Sequence, residues 1–467
     1  MSETVRETVG KTVSKMMNKA MRWMMSERLS GTRTPATAAG SLPAALAAAS
    51  EARTRRFALF SLFLIAMFNY IDRTILSILQ IPIKAELGLS DGQIGALTGL
   101  SFALFYTTLA LPIARLADRV SRRWIVVASL ALWSLMTALS GLAVGFASLV
   151  FFRIGVAIGE AGSGPASVSL LADYFPPKQR ATAMSTYGLG LPLGLMLGYS
   201  ATGWLAQTVG WRHTFAIIGG IGVALAPLAL MLLRDAPRGR YDPPPQVGEV
   251  RLGILPSMRL LWRIKAFRFA VLATMLHGFS QYSMMTWNAP FFVRLHGFTL
   301  SQVAMLMAVL AGAGGAIGMY LGGFIADRLA ARDVRWRLWV MAIAVGATVP
   351  FGLIQYLAPS TGLSVAAAAM AALLMVAYFG PILAVTQSVV PPDMRAFSNS
   401  VLSLCFNLFG LGLGPWFTGL CSDLLARDPA VGADALRYAL SLSLVPGCIG
   451  AVMFIYASRF FKASEPS

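Results

Sequence analysis

Long apolar runs separated by short polar segments dominate this chain. A membrane-spanning helix needs about 20 mostly apolar residues. Twelve such runs can be marked, at roughly 57–81, 93–114, 124–145, 147–172, 181–206, 213–233, 268–290, 302–326, 338–358, 363–388, 397–422 and 438–457. They are numbered here as spans 1 to 12. Pro192, Pro227 and Pro381 fall inside spans, which membrane helices tolerate because neighbours re-satisfy the freed backbone groups. The pattern predicts an all-α polytopic membrane protein.

Composition points the same way. Of 467 residues, 57% are hydrophobic and only 12% charged, against about 25% charged in a soluble domain. That excludes a soluble globular chain, disorder, collagen and coiled coil. The three cysteines, Cys405, Cys421 and Cys448, lie in apolar runs, so neither a disulfide framework nor a metal site is implied. The formal net charge is +18, which by itself could suggest nucleic acid. Its placement argues otherwise. With the N-terminus inside, 30 Lys and Arg fall in inside segments and 5 in opposite loops. That bias places both termini in the cytoplasm, and no nucleic-acid partner is needed. Arg73, Arg153 and Arg268 remain at membrane depth or its edge.

The expected organisation is a basic tail over 1–56, a six-helix bundle over 57–233, a linker over 234–267, a second bundle over 268–457 and a short tail over 458–467. In the first 25 residues Val5, Val9, Val13, Met16, Ala20 and Met24 recur at helical spacing beside Lys11, Lys15 and Lys19. This segment reads either as an amphipathic helix on anionic lipid or as sequence upstream of a true start at Met24 or Met25. Residues 31–52 read as a flexible tether. The two bundles repeat each other. Leu116-Ala117-Asp118-Arg119 recurs as Ile325-Ala326-Asp327-Arg328, 209 residues on, and Pro176-Pro177 recurs as Pro391-Pro392, 215 residues on. Repeated signals at similar offsets indicate duplication of a six-helix unit, a plan in which substrate lies between the halves.

The stretch from Ala114 to Arg123, ARLADRVSRR, resembles motif A of the major facilitator superfamily, with both motif glycines replaced, by Ala114 and Ser121. Gly323 to Arg328, GFIADR, keeps the first glycine in the second copy. The resemblance covers about 57–460 and implies twelve helices in two pseudo-symmetric bundles. Asp118 with Arg119, Arg122 and Arg123, and Asp327 with Arg328, would then form an ion cluster that latches one conformation. The plainer alternative is that these arginines only hold the loops inside.

A charge at mid-membrane costs about 2.5–3.5 kcal/mol on insertion scales. Span 1 carries Asn69-Tyr70-Ile71-Asp72-Arg73, and span 4 carries Arg153 and Gly159-Glu160-Ala161-Gly162. Two acids and two bases balance, which points to mutual pairing. Glu160 and Asp72 are candidate proton carriers. Arg73 and Arg153 are candidates for holding an anionic head group, since the planar guanidinium fork binds carboxylate or phosphate. A purely structural ion network is the alternative. This combination resembles the spinster family. The resemblance implies an amphiphilic lipid substrate (sphingosine-1-phosphate or a lysophospholipid in animal relatives), proton coupling, and matching of Asp72, Arg73, Arg153 and Glu160 to the family's membrane-embedded charged positions.

The second half lacks a mid-membrane acid. It offers His277 and Gln281, four apart on one face of span 7, with Tyr282, Trp287, Asn288, Gln387, Asn399 and Asn407. Asn69, Tyr70, His277 and Gln281 complete the candidate substrate contacts; for His277 a helix–helix hydrogen bond is the alternative. No nucleotide-binding loop accompanies the glycine-rich runs. The expectation is a proton-coupled secondary transporter of an amphiphilic or organic anion. It would be a multi-pass monomer of a bacterial inner membrane, surrounded by membrane lipids and without a cofactor beyond the proton. A multidrug exporter, a membrane enzyme and a non-transporting lipid receptor are the competing classes; no catalytic set supports an enzyme.

Overall fold

The apolar runs fold into helices in the computed structural model, which describes residues 41–117, 119–241, 253–391 and 394–461. Ten helices are long and apolar enough to cross a membrane. One of them, Pro177–Leu232, breaks at Gly210 (φ 79°, ψ 168°). The chain reverses there. Arg180 donates to the Ala172 carbonyl at one end of span 4. Arg212 donates to the Gly141 and Ala143 carbonyls at the opposite end. Asp235 then returns to accept from the Arg123 amide. This helix therefore supplies spans 5 and 6. Lys265–His296, 32 residues long, supplies span 7. Among the described residues the chain thus makes twelve passes.

Both ends of the described chain lie at one face. Glu51, before span 1, pairs with Arg240 at 2.8 Å. Trp339, opening span 9, donates to Ser458 at the end of span 12. This is the basic face, which the charge bias assigns to the cytoplasm.

Two expectations change. Residues 41–52 are not a tether: Ser41–Leu87 is one helix of 47 residues. Its first turns are rich in alanine, the strongest helix former, and Pro43 sits in the first turn, where a missing N–H costs little. The linker also carries a helix, Ile254–Arg263. The amphipathic segment expected over residues 1–25 lies outside the described residues.

Glycines permit the tightest crossings. A Cβ on Gly194 would meet the Met67 carbonyl at 2.4 Å, and one on Gly198 would meet the Ile71 Cα at 2.8 Å. Gly159 abuts the Trp133 backbone, and Gly410 the backbone of Gly278. Three spans contain wide (π) turns: Ala96–Leu100 in span 2, Val309–Gly314 in span 8 and Phe406–Leu413 in span 11.

Among the described residues the two halves share an apolar core at one end only. One cluster runs through the first half and continues into Trp287, Phe291, Phe292 and Tyr356 of the second. A separate cluster around Phe267, Met341, Tyr378 and Phe454 fills the cytoplasmic end of the second half alone. The halves are joined away from the cytoplasm.

Replacing Gly194 by Val should lower the midpoint of thermal unfolding in detergent strongly, because backbone blocks the added atoms. Gly220→Ala, with nothing within 4 Å of its would-be Cβ, should leave it nearly unchanged. Overpacking typically costs about 1–3 kcal/mol. Equal midpoints would contradict the crossing of spans 1 and 5.

Candidate functional site

Span 1 and span 4 bring the four intramembrane charges together as two crossed pairs. Arg73 Nε donates to Glu160 Oε2 at 2.7 Å. Arg153 Nη1 lies 3.9 Å from Asp72 Oδ2, and Thr137 of span 3 donates to Asp72 Oδ1 at 2.5 Å. The glycines of span 4 explain how the site closes: Gly155, Gly159 and Gly162 seat against Met136, Trp133 and Ser129 of span 3. That brings Thr137 within reach of Asp72.

Exposure within the site is unequal. The Arg73 side chain is 21% exposed and Glu160 0%; Arg153 is 12% exposed and Asp72 1%. The guanidinium groups are the accessible partners and the carboxylates are withdrawn. Each carboxylate keeps one buried oxygen without a hydrogen-bond partner, Asp72 Oδ2 and Glu160 Oε1. Aromatic rings wall the cations. Arg73 sits 5.0 Å from the Tyr106 ring centroid, 5.4 Å from Phe102 and 5.6 Å from Tyr70, and Arg153 sits 4.7 Å from Phe102. Rings at such distances hold a guanidinium through the negative π face. Asn69 lies half-buried one turn before Arg73. A small cavity inside the first bundle touches Asp72, Thr137, Ser140 and Arg153.

At His277 the structure shows the contact named as the alternative, a helix–helix hydrogen bond. Its Nε2 bonds the Met375 carbonyl of span 10 at 2.9 Å, its ring stacks edge-on against Tyr378, and it is buried. Gln281 shares that face as its spacing implied and accepts from Tyr378 at 3.2 Å. Tyr282, half-buried, points to Asn407 at 3.5 Å.

The motif A arginines are divided. Arg119 is exposed, while Arg122 is buried and bound to Asp173, to Ser169 Oγ at 2.8 Å and to the Ala236 carbonyl at 2.8 Å. Arg123 bonds the Leu230 carbonyl. These contacts bind spans 3, 4 and 6 of one half to each other. Asp118 lies outside the described residues. In the second copy Asp327 is 74% exposed and meets Arg337 at 3.6 Å, and Arg328 is exposed.

A polar contact that joins the halves was missed in the sequence. Asp91, opening span 2, takes both Arg294 nitrogens of span 7 at 2.7 and 2.8 Å, Ser422 of span 11 at 2.7 Å, and Lys84. Asp423 of span 11 accepts from the Asp91 and Gly92 amides at 2.9 and 2.7 Å, a carboxylate on the positive end of a helix. Gln80 Nε2 donates to the Thr286 carbonyl nearby at 2.7 Å. The clue was Ser90-Asp91-Gly92-Gln93, whose Ser and Gln form a capping box and mark a helix start. Nothing in the sequence named the partner.

Breaking a buried ion pair costs about 3–5 kcal/mol, enough to move a two-state equilibrium roughly a hundredfold or more. Asp91→Asn should therefore widen the distance between spin labels placed at Val144→Cys and Leu363→Cys, both exposed at the extracytoplasmic ends of the two halves. The native cysteines would first be replaced by Ser. An unchanged distance distribution would remove Asp91 as the tie.

A sequence model of the Major Facilitator Superfamily matches residues 62–415. An MFS-type efflux pump of Mycolicibacterium smegmatis is 34% identical, covering 86% of this chain and 92% of the relative. A probable L-galactonate transporter of Escherichia coli is 31% identical over 59% of this chain and 62% of its own length. A crystal structure of a bacterial homologue of the human lysosomal transporter Spinster, inward-facing and unoccupied, superposes with a TM-score of 0.79 at 31% identity, covering 87% of this chain and 98% of that one. The crossed charge pairs, the doubled motif and the shared fold converge: the chain belongs to the Major Facilitator Superfamily and, within it, to the spinster group of membrane transporters.

Proposed function

We propose that this transporter carries an amphiphilic anion, a lysophospholipid or sphingosine-phosphate-like lipid, together with a proton by alternating access. The observation that carries the reading is the unequal pair: Arg73 is reachable while its partner Glu160 is buried. An arriving phosphate or carboxylate competes for the Arg73 fork, which suits it in two bonds. Glu160 then loses its counter-charge in an apolar interior, where an unpaired carboxylate is strongly disfavoured, and it takes up a proton. By linkage, the proton in turn favours the anion. Anion and proton therefore load together and leave together, which makes the coupling symport. Asp72 and Arg153 hold a second charge-neutral pair beside it, and the half-buried rings of Tyr70 and Tyr106 give an acyl chain an apolar entrance.

A second reading is a small organic anion. The L-galactonate relative supports it, since a sugar acid would use the same Arg73 fork. The ring faces of Tyr70, Phe102 and Tyr106 around Arg73 suit an apolar chain beside the anionic head, so the lipid reading stands first.

Proteoliposomes with a pH-sensitive dye inside test both. Addition of labelled lysophospholipid should acidify the lumen as the label enters. Arg73→Ala should abolish both signals, and Glu160→Gln should lose the proton signal. Lipid entry without acidification would discard symport, and entry of galactonate alone would transfer the assignment to sugar acids.

A further inference from the structure

The start of span 7 and the end of span 12 meet in a cluster unrelated to the transport site. Phe269, Tyr456 and Phe460 are in mutual contact, with centroids 4.7, 5.7 and 5.2 Å apart. Each ring carries one cation. Lys265 Nζ lies 5.3 Å from Phe460, Arg268 Cζ 4.9 Å from Phe269 and Arg459 Cζ 5.6 Å from Tyr456. These three charged heads make no ion pair among the described residues. Of the acids on the adjoining loop, Asp327 meets Arg337 and Asp333 accepts from the Arg335 amide.

Three like charges held on touching rings repel one another, and salt weakens but does not remove that cost at such separations. Topology asks only that cations lie on this side, not that they be fixed together. Span 7 adds to the field, because its N-terminus at Lys265 has no side-chain cap and a helix N-terminus is positive. From the cluster an apolar stripe runs along span 12 into the membrane: Ile455, Val452 and Ile449 are 50%, 64% and 50% exposed. Charge at the interface and apolar surface below it are the two halves of one amphiphile's complement.

We propose that Lys265, Arg268 and Arg459 bind the phosphodiester of an anionic diacyl phospholipid of the cytoplasmic leaflet, with its chains along Ile455, Val452 and Ile449. Basic pockets between helices on the cytoplasmic side suit such head groups, and guanidinium forks match phosphate oxygens. This lipid is a bound neighbour of the second half, not the cargo, so the site does not depend on the transport reading.

Native mass spectrometry of the full chain in detergent, titrated with palmitoyl-oleoyl phosphatidylglycerol or the matching phosphatidylcholine, tests this. The wild type should keep one phosphatidylglycerol where phosphatidylcholine dissociates. Lys265→Gln/Arg268→Gln/Arg459→Gln keeps most of each stem and should weaken that binding on the order of a hundredfold. Arg328→Gln/Arg332→Gln/Arg335→Gln removes as much charge from the same face and should leave it within about twofold. Should the triple variant unfold, Arg459→Gln alone should cost roughly fivefold. Equal binding of both lipids, equal loss in both triple variants, or unchanged binding in the first would each overturn the assignment.

Discussion

A carboxylate or guanidinium inside a bilayer has no water to hold its charge, so its counter-charge must come from the protein. That constraint organises this molecule. Asp72 with Arg153 and Glu160 with Arg73 satisfy it across two helices rather than along one. Span 4 can approach span 3 closely enough to add Thr137 only because glycine lines the crossing. At the extracytoplasmic end of the spans Asp91 and Arg294 pair across the two halves. The first set sits where exposure is uneven, the guanidinium groups being more accessible than their carboxylates. The second sits where four donors converge on one carboxylate, and that set holds the halves together.

The distribution of apolar contact explains which end yields. Burial of apolar surface contributes about 25 cal/mol per Å², so a core shared between halves is a strong tie. Here the shared core and the Asp91 contacts lie at the same end. At the cytoplasmic end the second half has its own core, and the ions of the first half, Arg122 with Asp173, close upon themselves. The halves can part there without exposing a common core.

The spans, the duplication and the intramembrane quartet were legible in the sequence, because each is carried by local period, by spacing or by the rarity of charge in apolar surroundings. Partner identity was less so. Arg122 was read with its neighbours in the loop, but its acid is Asp173, 51 residues on. Asp91 drew no notice, since only folding brings span 7 and span 11 to it. His277 shares a face with Gln281 as the spacing implied, yet that face meets span 10 rather than the space between the halves. Period tells which residues share a side, not what lies opposite. Over residues 41–52 the supposed tether failed for another reason: small residues were read as flexible where alanine's helix preference governs.

The wide turns extend the duplication to the backbone itself. Those of span 2 and span 8 begin at Ala96 and Val309, 213 residues apart, between the 209- and 215-residue strides of the repeated loop motifs. A wide turn stores one surplus residue within a helix. Moving it along by one position exchanges one hydrogen bond for another at constant number, and only the side chains it passes change the direction in which they point. In span 2 Phe102 follows two residues after the turn and Tyr106 one helical turn on, stacked on each other and facing Arg73. The aromatic lining of the site is thus set by backbone register, like a dial. It can turn relative to the charge it shields while the helix that carries it stays whole.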